Sequence, residues 1–441
     1  MSIVPEPIAA CLTAINQKSS SAFITPFTQD AILIDEGRTD KGRDAIQAWC
    51  EKALLSHNAT IKIQQTITQQ DRTIVKVIMD GDFVEDYGIT EPFTLYFSFQ
   101  IKDNKIHHLL ITPWDSSRPS MKAVYLDRAN ANDPISTVKI APRPQQDPPE
   151  GWVRVKIQAV GLNYHDIFTM KGHGMHPLTF PLILGCEGTG TLAEGTPVLL
   201  YPCMGSPDFK GDETLDRTRN VFSELTNGTL AEYVNVPERN IVVRPKELEV
   251  ESAAVLGIAW LAAYRMLVTK SGLRAGQTML VQGSSGGVSS ALIQLGAAAG
   301  MRVLCTGRTA AKRELGLKLG AEKAFEAGQE LPEKVDAAFD TSGEVTWEHS
   351  MNSVKTGGTI VTCGGHGGRT IPVDVSRVFV EQINIRGSYL GTLQEFRYLI
   401  DFVVAKSIKP HIGLVVSMDE AEVGFRKMLN GETAGKIVVR M

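Results

Sequence analysis

The chain has 441 residues, 43% of them hydrophobic and 21% charged, and a formal net charge of −4. That length exceeds what one ordinary core fills and predicts two or three domains, while the near-balanced charge gives no footing for a nucleic-acid or membrane partner. The longest apolar run, Ala253 to Tyr264, is too short to span a bilayer, the opening MSIVPEPIAA has no secretory-signal pattern, and six scattered cysteines form no C-x-x-C pair, so a cytoplasmic protein without a disulfide framework or zinc knuckle is expected.

In chain order, residues 1–112 open with a predicted helix from about Pro7 to Asn16, with Ile8, Leu12 and Ile15 at helical spacing. A short apolar segment, AILID (31–35), precedes a turn and a second helix in GRTDKGRDAIQAWCEKALL, where Asp44 suits the positive end of the helix dipole. Three alternating, β-branched and aromatic segments follow: ATIKIQQTIT, RTIVKVIMDGDF and FTLYFSFQIKDNKIHHLLITP. Helices followed by an antiparallel sheet make an α+β unit. Residues 113–120, PWDSSRPS, read as a linker, and Met121 resembles the first residue of a free-standing protein, which marks a fusion boundary. Strand patterns rich in Gly and Pro turns fill 121–250. Helix and strand alternate over 251–391, as a parallel doubly wound sheet requires. From Thr392 a helix and the final strand KIVVRM are expected to rejoin the β-rich domain.

The densest signal is TMLVQGSSGGVSS (278–290): an apolar strand, a glycine-rich turn and the start of a small-residue helix. Gly283 suits a sharp strand-to-helix turn. Gly286 and Gly287 let a pyrophosphate approach the backbone, with Ser284, Ser285 and Val288 completing the cradle and the helix dipole favouring the anion. The next strand, MRVLCT (301–306), ends at Gly307, Arg308 and Thr309, with Lys312 and Arg313 beyond. An NAD site would place Asp or Glu at that strand end. Arg308 and Lys312 instead favour a 2′-phosphate, hence NADPH. The alternative is that Arg308, Lys312 and Arg313 are the solvated face of helix 309–319.

Residues 121–441 resemble the medium-chain dehydrogenases/reductases, on GLNYHD (161–166), LGCEGTG (184–190), GTLAEYV (228–234), AAVLGIAWLAAYRML (253–267), VQGSSGGV (281–288) and AGKIVV (434–439). The resemblance implies a GroES-like catalytic domain (121–250 and 392–441) and a Rossmann domain (251–391) with nicotinamide meeting substrate in the cleft between them. Ala262 and Ser289 are small departures from the family pattern. In its zinc branch, ligands fall at positions held here by Asn163, Cys186 and Ile258. Asparagine is a poor zinc ligand and isoleucine is none, so no catalytic metal is expected. An irregular set of His165, Cys186 and Glu187 is the competing possibility. The zinc-free branch implies hydride transfer from NADPH to an activated alkene or quinone, with a small-molecule substrate and a homodimer. Asn163 then positions the nicotinamide ribose or substrate carbonyl, Tyr164 donates a proton or meets the oxyanion, Gly364 and Gly365 border the nicotinamide, and Lys436 meets a phosphate unless it is a solvated surface charge. Two other readings stay open: an alcohol/aldehyde dehydrogenase with an atypical site, and a non-catalytic NADPH-binding module.

The N-terminal piece resembles the SnoaL-like (polyketide-cyclase, nuclear-transport-factor-like) fold, which implies a cone-shaped barrel enclosing a pocket. Asp35, His107 and His108 are its candidate residues. Adjacent strand residues point to opposite faces, so at most one histidine faces the cavity. Pairing of Asp35 with Arg38 and surface histidines is the non-catalytic alternative, and a dimerisation or substrate-holding module is favoured over a second enzyme. The fold expected is thus multidomain: an α+β cone-shaped barrel, a β-rich GroES-like domain and an α/β Rossmann domain.

Overall fold

The computed structural model describes residues 4–35, 38–69, 71–83, 92–113, 115 and 117–441; residues 114 and 116 of the predicted linker lie outside the described residues. The chain packs as two compact units, Met1–Met121 with Pro142–Gln146, and Lys122–Ala141 with Asp147–Met441. No described helix is long and apolar enough to cross a membrane.

In the first unit, helix Glu6–Asn16 buries Ile8, Cys11, Leu12 and Ile15 along one stripe. Helix Arg43–Ala53 carries Asp44 in its first turn and buries Ile46, Trp49 and Cys50. The sheet has six strands, in the order Arg38–Lys41, Phe27–Asp35, Lys105–Thr112, Phe93–Lys102, Arg72–Asp80 and Thr60–Gln69. The sheet is mixed, not antiparallel throughout: Phe27–Asp35 runs parallel to Lys105–Thr112, with Leu33 opposite Leu109. The expected barrel is, among the described strands, an open path with no pairing that closes it. Alternation along these strands sends Val75, Val77, Phe97 and Phe99 into one core with Phe23 and Trp49 from the helices.

In the second unit, the β-rich sheet runs Ile241–Val243, Pro197–Leu200, Thr189–Thr191, Trp152–Gly161, Lys436–Arg440 and Ile412–Ser417, and Tyr233–Pro237 also pairs with Trp152–Gly161. The C-terminal strand thus returns to the catalytic domain, with Val438 opposite Gly161. A six-stranded sheet is wholly parallel, in the order Lys323–Glu326, Arg302–Gly307, Thr278–Val281, Val335–Asp340, Val354–Thr362 and Asn384–Gly387. That is the Rossmann order, in which the connections reverse direction between Thr278–Val281 and Val335–Asp340 and open a ligand crevice at the strands' C-terminal ends. The apolar run 253–264 forms buried helical turns with a widened π segment at Leu256–Trp260. Trp260 sits in a core shared by both halves of the unit, from Leu199 and Tyr201 to Leu292 and Phe339.

Candidate active site

The glycine turn lies at the crevice. Gly283 has φ +83°, a conformation that glycine takes without strain, and its N–H donates to Thr306 Oγ1 at 2.9 Å. Ser284 is spent inside the protein, its hydroxyl donating to the Lys312 carbonyl at 2.6 Å, and the Ser285 carbonyl accepts from Gly435 N at 2.8 Å. Helix Gly287–Ala298 begins directly at the turn, with Gly286 as its N-cap, so the first-turn amides, those of Gly287 and Val288 among them, lack intrahelical acceptors and suit an anion. Gly287 has a second reason to be glycine. A β-carbon there would lie 3.0 Å from Lys436 Cδ and 3.1 Å from Ala259 Cβ.

Arg308 is exposed at the end of its strand and has no carboxylate partner among the described residues. Lys312 reaches the Gly431 carbonyl at 3.1 Å, and burial, with the Arg308 charge beside it, lowers its pKa. Two neighbouring cations, neither in an ion pair among the described residues, suit a doubly charged phosphate. Arg313 does not join them, being bound to the Gly307 carbonyl at 3.0 Å and to Glu326 at 3.2 Å.

Across the crevice, Asn163 caps helix Tyr164–Met170. Its N–H donates to Asp166 Oδ2 at 2.8 Å, while Asp166 Oδ1 accepts from Gly185 N at 3.0 Å. The side-chain amide donates to the Gly161 carbonyl at 3.0 Å and to Glu187 Oε1 at 2.8 Å, with Cys186 Sγ at 3.5 Å. Its Oδ1 accepts from Lys436 Nζ at 2.6 Å. This corrects the expectation for Asn163: both amide hydrogens are committed internally and the carbonyl accepts from Lys436, so the residue is a buried brace with no amide hydrogen left to donate to a ribose or carbonyl. Lys436 is corrected too. It is 3% exposed and is not a solvated charge. Its ammonium meets the Leu162 carbonyl at 2.6 Å, Asn163 Oδ1, and Glu187 Oε1 at 2.8 Å, so only its aliphatic stem borders the phosphate turn. A fully buried carboxylate demands such a partner. Glu187 Oε2 takes the Ile258 N–H at 2.8 Å, a donor in the π segment.

Tyr164 lies at the cleft side of its helix, 38% exposed. Its hydroxyl donates to the Met428 carbonyl at 3.3 Å, and its ring stacks on His366 at 5.3 Å between centroids. His366 stands between Gly365 and Gly367, beyond the strand that ends before Gly364 and Gly365. Sequence reasoning passed over it; the signal was an imidazole within GGHGG at a Rossmann strand end. Desolvation by the surrounding protein lowers its pKa, aided by the charge of Arg308 and opposed by a hydrogen bond to the Thr341 backbone.

Comparison with known proteins agrees with this geometry. Residues 149–246 match the alcohol dehydrogenase GroES-like domain and residues 287–405 the zinc-binding dehydrogenase family. An alcohol dehydrogenase of Geobacillus stearothermophilus is 27% identical over 329 residues, 69% of this chain and 95% of that protein. An acryloyl-coenzyme A reductase of Sulfurisphaera tokodaii is 26% identical over 336 residues, 70% of this chain and 97% of that one. A solved NAD-dependent alcohol dehydrogenase superposes with a TM-score of 0.67 at 28% identity, over 73% of this chain and 100% of its own. Over 70% of its length the chain is similar to the medium-chain dehydrogenase/reductase superfamily. It is an oxidoreductase, and this fold implies a nicotinamide cofactor, which the glycine turn fits.

The residues present do not fit the zinc implied by the second family match. At the ligand positions, Asn163 presents amide hydrogens toward Cys186 and Ile258 offers no donor atom. Burial, with Asp166 and Glu187 nearby, pushes the Cys186 thiol well up. The Lys436 ammonium already supplies a cation. The irregular set does not converge as expected, because Glu187 is bound to Lys436 and Ile258. The ligand atoms of His165, Asp166 and Cys186 do lie within 4.8 Å of one another, but Asp166 is occupied by two backbone amides and His165 Nε2 faces Glu224 at 3.1 Å.

In the N-terminal unit, Asp35 accepts from Trp49 Nε1 at 3.1 Å and lines a cavity of about 100 Å³ walled by Leu54, Met79, Phe83 and Phe97. Arg38 pairs with Asp40 at 2.8 Å. The histidines do not line this cavity. His107 faces Thr28 at 3.4 Å and Asp30 at 3.8 Å. His108 lies opposite Gln100, and burial, with the charge of Arg72, lowers its pKa. Ile106, Leu109 and Ile111 take the inward positions of that strand.

Proposed function

We propose that the protein is an NADPH-dependent reductase of an activated alkene, an enone or enoyl group, or of a quinone, working in the cytoplasm without a catalytic metal. The observation that carries this reading is the locked Lys436–Glu187–Asn163 cluster, built around two of the positions, Asn163 and Ile258, that the resemblance assigns to zinc ligands. Similarity does not decide the substrate, since an alcohol dehydrogenase and an acryloyl-coenzyme A reductase stand at 27% and 26% identity.

NADPH, when bound, supplies a hydride. Arg308 and Lys312 take its 2′-phosphate, the amides of Gly287 and Val288 its pyrophosphate, and the backbone at Gly364 and Gly365 borders its nicotinamide. An activated alkene needs no Lewis acid, because its own carbonyl makes the β-carbon electrophilic. What remains for the protein is a donor for the developing oxyanion and a proton for the α-carbon. The Tyr164 hydroxyl and the His366 imidazole are the groups at the cleft for those tasks. We further read the N-terminal unit as a SnoaL-like holding or dimerisation module. The protein is proposed to be a homodimer, supported by the open edge strand Asn384–Gly387 and by helix Val375–Val380, on which Val375, Phe379 and Val380 are 69%, 66% and 66% exposed.

The test is NADPH and NADH titrated side by side with an enone and an unconjugated ketone, with and without chelator. Enone turnover with NADPH that is indifferent to chelator is expected. Zinc-restorable loss on chelation, or ketone turnover alone, selects the alcohol-dehydrogenase reading, and tight NADPH binding without oxidation selects a binding module.

A further inference from the structure

Behind the cofactor turn, the Rossmann sheet holds an unbroken chain of hydrogen bonds. The Gly283 N–H donates to Thr306 Oγ1 at 2.9 Å, and the Thr306 hydroxyl donates to Gln282 Oε1 at 3.1 Å. The Gln282 amide nitrogen donates to Ser350 Oγ at 3.1 Å and to His349 Nδ1 at 2.8 Å. His349 Nε2 faces the Gln329 carbonyl at 2.7 Å, which fixes Nδ1 as the acceptor. The Ser350 hydroxyl donates to Asp340 Oδ2 at 2.6 Å, and Asp340 Oδ1 accepts the N–H groups of Ser342 at 3.0 Å and Gly343 at 2.9 Å. The 342–344 turn in turn grips the loop that carries His366: Gly367 N donates to Ser342 O at 2.9 Å and Glu344 N to Gly368 O at 3.3 Å.

The chain therefore runs from the pyrophosphate turn to the nicotinamide-side loop. Gln282 and Thr306 are 2% exposed, and Asp340 and Ser350 are 0% exposed. From Thr306 onward, each side-chain donor points toward Asp340, so one carboxylate polarises the whole series and the bonds strengthen one another.

We propose that Thr306, Gln282, Ser350 and Asp340 form a positioning relay that keeps the two ends of the dinucleotide site in register. These are positioning residues: they act through the turn and the loop. The proposal rests on the dinucleotide-binding reading. The fold should survive its test, because Ser350→Ala leaves Gln282 its bond to His349 and leaves Asp340 its bonds to Thr346 at 2.9 Å.

The experiment measures NADPH Kd by fluorescence, steady-state kinetics with an enone, and Tm, for full-length Thr306→Val, Ser350→Ala, the double variant and Thr306→Ser. Each of the first two is expected to weaken NADPH binding about five- to tenfold and to lower kcat, with the enone KM changed less than about twofold. The double variant is expected to be no worse than the poorer single one, because a broken relay cannot break twice. Thr306→Ser keeps the hydroxyl and should retain wild-type values. Losses that multiply in the double variant, or a lowered Tm with Kd and kcat unchanged, overturn the relay while leaving the functional reading intact. A wild-type protein that binds neither NADPH nor NADH overturns both. If Thr306→Val does not fold, Ser350→Ala decides alone, and an unchanged Kd there overturns the relay.

Discussion

Glu187 and Asp340 are both buried carboxylates of the same unit, neutralised by different means. Glu187 meets the Lys436 ammonium at 2.8 Å. Asp340 has no salt-bridge partner among the described residues and is held by two backbone N–H groups and the hydroxyls of Thr346 and Ser350. A buried ion pair fails when either partner is removed, because the survivor keeps the full desolvation cost. A carboxylate surrounded by dipoles gives up one modest contribution at a time. The difference teaches where each side of the cleft tolerates change. The Glu187–Lys436 cluster is brittle and keeps its residues as a set, whereas the Asp340 network is graded and can be tuned.

The largest effect expected from that contrast is in Lys436→Met. It leaves Glu187 and the Asn163 carbonyl without their cation and should cost about 3–5 kcal/mol of stability, read as a fall in the denaturant midpoint. Adding Glu187→Gln removes the orphaned charge and should return a large part of the loss. Ser350→Ala, on the graded side, should cost only about 1 kcal/mol. Equal losses at the two positions would collapse the comparison.

Next in size is Arg308→Ala. If Arg308 and Lys312 read a 2′-phosphate, the KM for NADPH should rise by about ten- to a hundredfold, the worth of a charge-assisted bond. NADH kinetics should stay within about twofold. A matching loss with NADH would show that Arg308 serves the common part of the dinucleotide or the fold itself.

The two sides also differed in how far the sequence revealed them. The cofactor turn was legible because its constraints are local: a positive φ at Gly283 and a helix that starts directly after Gly286 both leave marks within a few residues. The buried Asn163–Glu187–Lys436 cluster was legible in composition only. That Asn163 and Ile258 cannot hold zinc follows from their chemistry. That Asn163, Glu187 and Lys436 close on one another is long-range information, carried by a C-terminal strand 273 positions from Asn163. A lone Lys in AGKIVV carries no sign of burial. The relay was illegible for the same reason, since Gln282 and Ser350 are 68 positions apart and neither lies in a motif with known chemistry. In the N-terminal unit, alternation revealed the strands. The parallel pairing of Phe27–Asp35 with Lys105–Thr112 is a long-range contact that no local pattern encodes.

The smallest effect concerns His366. Its folded pKa is depressed, mainly by desolvation, below an unfolded imidazole value of about 6.5. Between those two values the unfolded chain binds more protons than the folded one, so stability rises with pH there. The contribution of the neutral ring is complete above about pH 6.5 and is lost as pH falls toward the folded value. His366→Phe keeps an aromatic ring against Tyr164 but cannot take a proton. The drop in Tm from pH 7.5 to 5.5 should therefore be slightly smaller in the variant than in the wild type. Identical slopes would mean that His366 titrates as it does in the unfolded chain. The variant also separates the two tasks at the cleft. A fall in kcat at pH 7.5 with unchanged NADPH Kd assigns the imidazole to the proton, whereas a weakened Kd with unchanged kcat assigns it to the loop.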